Sequence, residues 1–295
     1  MSVKGKIVTD MIRFFTSQKM LGPKIQDGPL RKNLVEPPWH CPDEYLNLPI
    51  HMRQFEMELL TPKAADNGEV VLQLHGGGYI AKIRNAYRDF AVRYSKIDQY
   101  RVLSVDYRVA PQHPYPAAFQ DALEAYRWLL YSGFSGDRII LAGDSAGGGL
   151  VLALSMYLRD QSMPLPKKLV MMSPWTDLTA SGPSYQENYE NDPLFGNTRE
   201  SMIYNGEYAG KQDPKLPYIS PLFGDFHGLP PMLFQVGSLE MLLSDSVLAA
   251  QKAKEAGCDV TLTVYQDMFH VFQLSMDKLA ESRAAWDEVA AFLGK

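Results

Sequence analysis

Short apolar runs and longer amphipathic stretches alternate along most of this chain. Val70-Val71-Leu72-Gln73-Leu74 has the character of a strand buried on both faces, and residues 102–105, 139–141, 169–172, 232–236 and 260–265 repeat it. Helical spacing falls between these runs. It predicts helices over 85–97 (Ala86, Phe90, Val92, Tyr94), over 117–130 (Ala118, Ala122, Ala125, Trp128, Leu129), over 150–158 and over 278–293 (Leu279, Ala285, Trp286, Val289, Phe292). Residues 51–60 alternate, with Phe55, Met57 and Leu59 set against Glu56 and Glu58, which predicts a further strand. A turn at Pro62 and Asn67-Gly68 closes it. Strands that alternate with helices predict an α/β fold: a mostly parallel sheet with helices on both faces.

Two stretches depart from this rhythm. An amphipathic helix within residues 1–20, with Ile7, Val8, Met11, Ile12 and Phe15 on one side, runs into irregular chain at Pro37-Pro38-Trp39 and Cys41-Pro42. Between Pro174 and Pro230, Tyr185, Tyr189, Phe195, Tyr204, Tyr208 and Tyr218 stand among many Asn, Asp and Gly with no strand pattern. Both read as cover for something else. The expected organisation is an N-terminal cap segment over residues 1–50 and a main domain over 51–295, interrupted by a cap insertion at about 180–225.

Composition narrows the function. The chain has 295 residues, 46% apolar and 21% charged, with a net charge of −5, as in a soluble globular protein. It has no Lys/Arg cluster, so nucleic acid and anionic membranes are poor partners. No apolar run is long enough to span a bilayer, and residues 1–20 are too charged for a signal-peptide core. Two cysteines, Cys41 and Cys258, give no disulfide framework, so a cytoplasmic location is expected. The histidines are scattered and no metal-ligand spacing occurs, so neither a metal nor a cofactor is expected.

The chemistry centres on Gly143-Asp144-Ser145-Ala146-Gly147, placed between the strand pattern at 139–141 and the helical run at 150–158. This is the nucleophile-elbow pattern. A serine on a sharp strand-to-helix turn takes a strained backbone conformation, and glycines two before and two after remove collisions with the following helix. His75-Gly76-Gly77-Gly78 follows another strand. Consecutive glycines let backbone N–H groups face a cleft, so Gly77 and Gly78, with Ala146, are candidate oxyanion donors. Tyr79 and Ile80 adjoin them as candidate pocket residues. A rival pattern, G-x-G-x-x-A through Gly76, Gly78 and Ala81 with Asp106 beyond, suggests a dinucleotide site. The following helix starts late, however, and that reading leaves the elbow without a purpose.

A serine needs a base. Only His270, of six histidines, follows the last strand by a short loop. The acid is expected after the strand at 232–236. Position favours Glu240, and Asp245 stays as the alternative. Asp192, in Asp192-Pro193-Leu194, is set aside because no strand precedes it.

Together these residues resemble the hormone-sensitive-lipase-like esterases of the α/β-hydrolase superfamily. The resemblance rests on His75-Gly76-Gly77-Gly78, Asp106-Tyr107-Arg108-Val109-Ala110-Pro111, His113-Pro114-Tyr115-Pro116, Gly143-Asp144-Ser145-Ala146-Gly147-Gly148, Ser173-Pro174-Trp175 and Met268-Phe269-His270, and runs from about Gly68 onward. It implies an eight-stranded α/β-hydrolase sheet with a helical cap, and hydrolysis of short- to medium-chain carboxylic esters without a cofactor. The chain departs from the family in two places: Glu240 stands where Asp is more usual, and Gln112 where Glu is. The expected partner is a small-molecule ester, and a homodimer stays open. The competing functions are a non-catalytic small-molecule receptor on the same fold, which usually lacks the histidine, and an amidase or peptidase using the same residues.

Overall fold

The apolar runs become the strands of a single sheet. A computed structural model of the chain describes residues 2–16, 36–197, 203–204 and 206–294. Its strands are β1 (Tyr45–His51), β2 (Glu56–Pro62), β3 (Val70–Leu74), β4 (Arg101–Asp106), β5 (Ile139–Asp144), β6 (Lys168–Met172), β7 (Met232–Gly237) and β8 (Val260–Tyr265), in the order β1-β2-β4-β3-β5-β6-β7-β8. β1 pairs antiparallel with β2, and β2 with β4; all other pairs are parallel. The helices are α1 (Val3–Thr16), α2 (Asn85–Asp98), α3 (Ala117–Tyr131), α4 (Ala146–Asp160), α5 (Ser184–Glu187), α6 (Leu243–Glu255) and α7 (Ala280–Leu293).

The central strands read as continuous apolar runs because both faces are covered. Val70, Leu72, Ile139, Leu141, Leu169 and Met171 point into one core with α3, α4 and α6. Val71, Ile140, Ala142, Val170 and Met172 point into the other, against Tyr87, Phe90 and Tyr94 of α2 and Trp286, Val289 and Phe292 of α7. Lys168 is buried at the start of β6, where its Nζ donates to Phe292 O at 2.8 Å and Leu293 O at 3.1 Å. A cation at the C-terminal end of α7 satisfies carbonyls that the helix leaves open.

The N-terminal half departs from the sequence reading in three ways. The sheet takes in β1, inside the segment expected only as cover. β1 is an edge strand that leaves Leu46 and Leu48 about half exposed and tolerates Pro49, so it carries no buried-strand pattern. The strand predicted over 51–60 starts only at Glu56, because residues 52–55 turn the hairpin, Met52 N–H donating to Phe55 O at 3.0 Å. In α1, Val8 and Ile12 pack against Met268, Phe269, Phe272 and Leu279, whereas Ile7 and Met11 face solvent. The predicted end of that helix, residues 17–20, lies outside the described residues. So do 198–202 and 205, within the insertion expected from the sequence.

The topology sets the site. From β3 the chain crosses to β4 on one side and then to β5 on the other, a switch point at which the C-terminal ends of neighbouring strands leave a crevice. Leu74 pairs with Gly143, Asp144 with Met172, and Gly237 with Tyr265, so the loops after β3, β5, β6, β7 and β8 leave the same edge. Among the described residues no helix is long and apolar enough to cross a membrane.

Candidate active site

The elbow is built by close approach. Ser145 has φ 51° and ψ −123°, a conformation that side chains rarely take and that the surroundings must enforce. A Cβ on Gly143 would lie 2.5 Å from Gly147 O, and one on Gly147 would lie 2.0 Å from Leu74 O. The two glycines therefore let α4 start directly on the ends of β3 and β5. Ser145 N–H donates to Met172 O at 2.9 Å, and Ser145 O accepts from Trp175 N–H at 2.8 Å. The turn is thus tied to the chain after β6.

The glycine loop is anchored from the elbow. Gly76 N–H reaches Asp144 Oδ1 at 3.1 Å and Tyr87 Oη at 2.9 Å, and Tyr87 donates its hydroxyl to Asp144 Oδ2 at 3.1 Å. A Cβ at Gly76 would meet Asp144 Oδ2 at 2.3 Å, so this carboxylate is the reason for a glycine there. Burial pushes Asp144 up to about 7, with the Tyr87 hydroxyl, the His270 charge and Gly76 pulling the other way. His75 is structural. Its Nδ1–H donates to Gly76 O at 2.7 Å, its ring stacks on Tyr107 at 4.0 Å, and burial lowers it to about 4, which keeps it neutral.

Gly77 and Gly78 take φ 108° and 62°, conformations that favour glycine. Among the described residues none accepts a hydrogen bond from the N–H groups of Gly77, Gly78 or Ala146. Tyr79 is buried, stacked on Tyr208 at 3.7 Å between its centroid and that of the other ring, whereas Ile80 is half-buried. Asp106, the acid of the rival dinucleotide pattern, takes Ile83 N–H at 3.0 Å and lies 3.5 Å from Lys82 Nζ, and α2 starts only at Asn85. The loop thus lacks the direct strand-to-helix passage on which pyrophosphate would sit.

Ser145, His270 and Glu240 come together from the ends of β5, β8 and β7. His270 Nε2 is 2.9 Å from Ser145 Oγ, and Nδ1 is 2.8 Å from Glu240 Oε2. The carboxylate only accepts, so Nδ1 carries the proton and Nε2 is left to accept from the serine hydroxyl. All three are nearly sealed: Ser145 is 7% exposed, His270 6% and Glu240 0%. Burial acts against the imidazolium, but the Glu240 hydrogen bond and charge, with the charges of Asp192 and Asp144, outweigh it and raise His270 above its ordinary value.

Asp245 is occupied elsewhere. It accepts from the N–H of Thr176 and Asp177 at 2.7 and 2.8 Å and from the Tyr185 hydroxyl at 2.9 Å, fastening the chain after β6 to α6.

Sequence reasoning missed several neighbours. Ser173, with φ 48°, donates its hydroxyl to Glu240 Oε1 at 2.7 Å and accepts Val271 N–H at 3.1 Å, linking the acid to the histidine loop. Gly237 N–H fills Glu240 Oε1 further at 2.5 Å. Phe195 sets its ring edge-on to His270 at 4.9 Å between centroids. Asp192, set aside above, lies beside the Glu240 loop, since its Oδ2 accepts Met241 N–H at 2.7 Å. The Ser-Pro-Trp and Asp-Pro-Leu runs were visible in the sequence, but the partners that give them meaning lie about 50 or more residues away.

A hydroxyl, an imidazole and a carboxylate hydrogen-bonded in line at the C-terminal edge of such a sheet define a serine hydrolase. Comparison with known proteins agrees. A family model described as alpha/beta hydrolase fold matches residues 71–274. The chain is 39% identical over 230 residues to an acetyl-hydrolase of Streptomyces hygroscopicus, covering 78% of this chain and 77% of that protein. It is 35% identical over 224 residues to an esterase of Acinetobacter venetianus, covering 76% and 74%. It is also similar to a solved esterase of the bacterial hormone-sensitive lipase family, with a TM-score of 0.85, 35% identity and coverage of 99% and 98%. The chain belongs to the α/β-hydrolase fold family, among its hormone-sensitive-lipase-like esterases, and is a carboxylic ester hydrolase.

Proposed function

We propose that the protein hydrolyses short- to medium-chain carboxylic esters through an acyl-serine on Ser145. The observation that carries this is the unbroken line from Glu240 Oε2 through His270 to Ser145 Oγ, at 2.8 and 2.9 Å. Ser145 Oγ forms a bond to the ester carbonyl carbon while His270 Nε2 takes its proton. The N–H groups of Gly77, Gly78 and Ala146 receive the negative charge that develops on the carbonyl oxygen, each worth roughly 3–4 kcal/mol of barrier. The C–O bond to the alcohol then breaks and the leaving oxygen takes the proton from His270. Water repeats the sequence on the acyl-serine. Glu240 holds the imidazole tautomer and favours its charged form.

Small esters are the substrates of this reading: the serine is 7% exposed, and relatives include an acetyl-hydrolase and an ethyl acetate hydrolase. In the same reading α1 and the chain around Phe195 cap the site, supported by α1 packing beside Phe269 and by Phe195 on His270. Ile80 forms part of the pocket wall, with Tyr79 packed behind it. A cytoplasmic location fits two free thiols, Cys41 and Cys258, and a homodimer fits a sheet with open edges at β1 and β8. Cell fractionation and light scattering test these two points.

The central test is hydrolysis of p-nitrophenyl acetate, butyrate and palmitate by wild type and Ser145→Ala. The first two should be cleaved faster than the third, and the variant should lose activity by about 10⁴-fold or more. Equal rates in wild type and variant would end the proposal.

A further inference from the structure

The insertion reaches the reacting groups from behind. Asp192 is 4% exposed, and both its oxygens act as acceptors. Oδ1 takes the N–H of Leu194 at 2.8 Å and of Phe195 at 3.0 Å, and Oδ2 takes that of Met241, the residue after Glu240, at 2.7 Å. From the same strap, Asn188 Nδ2 donates to Ser238 O at 3.0 Å and Glu240 O at 2.7 Å, and Ser184 Oγ donates to Met241 O at 2.6 Å. The strap thus holds the backbone on both sides of Glu240. Gly196 lets it close, since a Cβ there would lie 2.4 Å from Asp192 O.

The strap also touches the base, through Phe195 on the His270 ring. Three carboxylates act on that imidazole: Glu240 from the loop after β7, Asp144 from the end of β5, and Asp192 from the insertion. Glu240 alone bonds to it. Burial raises the Asp192 carboxyl above its ordinary value, the N–H groups of Met241, Phe195 and Leu194 pull the other way, and this costly group is placed next to the acid loop.

We propose that Asp192 is a positioning residue for ester hydrolysis: it locks the Glu240 loop from the strap and adds to the negative charge that Glu240 and Asp144 set near His270. The proposal rests on the ester-hydrolase reading above. It makes the insertion part of the machinery that sets the base, in addition to a cover.

Asp192→Asn tests it. The amide has one oxygen, which serves the Leu194 and Phe195 pair, so its NH₂ turns toward Met241 N–H and releases the acid loop. The expected result is a kcat about ten-fold lower with KM near wild type. The His270 imidazole, followed by NMR, should titrate lower than in wild type. Wild-type kcat, or an unmoved titration in the folded variant, overturns the proposal. Asn188→Ala removes two donors from the same strap and leaves the charge in place. It should lower kcat with the titration unmoved, and if Asp192→Asn does not fold, a wild-type kcat in Asn188→Ala overturns the proposal alone. The titration needs no turnover. A wild type inactive on every ester would therefore end the ester reading, while the titration in Asp192→Asn would still support or overturn this one.

Discussion

Ser145 and the glycine loop stand on β5 and β3, neighbouring strands in register, and are completed by Asp144, by Tyr87 of α2 and by backbone bonds to the chain after β6. Glu240 and His270 also stand on neighbouring strands, β7 and β8, but side chains from other loops complete that half: Ser173 from the end of β6, and Asn188, Asp192 and Phe195 from the chain between β6 and β7. The Ser145 half is thus shaped mainly by sterics, where glycines permit contact, and the Glu240–His270 half mainly by hydrogen bonds, where polar side chains hold a loop. Steric shaping should fail abruptly on substitution, whereas hydrogen-bonded shaping should fail by degrees.

Four substitutions sharpen that contrast. Glu240→Gln should cost most on the acid–base side, on the order of 10³–10⁴ in kcat with the fold intact, because the imidazole loses its tautomer partner; kcat and circular dichroism together check it. Gly147→Ala attacks the other half. Its Cβ would lie 2.0 Å from Leu74 O and 2.5 Å from His75 O, both backbone atoms that cannot step aside. It should lower stability by about 3 kcal/mol or more and activity with it, read as a fall in Tm. Ser173→Ala removes one hydroxyl from Glu240. It should lower kcat by about ten-fold with a small change in Tm, the graded failure expected of that half.

Asp245→Asn should have the smallest effect on turnover, leaving kcat near wild type, since Glu240 and not Asp245 meets His270. Its effect is on stability against pH. Burial, then the charge of Asp177, pushes Asp245 up to about 8 from an ordinary 3.8. Folding therefore favours its protonated form. That contribution is whole below pH 3.8, declines as pH rises and is lost above about 8. The variant lacks this slope, so its Tm should change less than that of wild type between acid and alkaline buffers. A catalytic collapse in Asp245→Asn would return it to the role of acid.

The sheet was legible in the sequence because both of its faces are buried: residues 70–74, 139–141, 169–172 and 232–236 are apolar at nearly every position. The edge strand β1 was not, because its exposed Leu46 and Leu48 carry no burial signal. In the site, Ser145 and the glycine loop were legible since close packing demands glycine at fixed spacing. His270 and Glu240 followed from their places after successive strands. The strap was hidden for a physical reason: Asn188 and Asp192 act through backbone atoms of a loop about 50 residues on, and a hydrogen bond to a backbone carbonyl or amide leaves no mark on the residue that supplies it.

The bond from Gly76 N–H to Asp144 has a consequence for how new substrates can be accommodated. The residue before the serine holds the loop that faces it, so the Ser145 hydroxyl and the glycine-loop amides move as one piece, with a fixed distance between them. A bulkier acyl group cannot be admitted by widening that distance. Room for it must come from side chains outside that piece, which can change while this distance stays as it is.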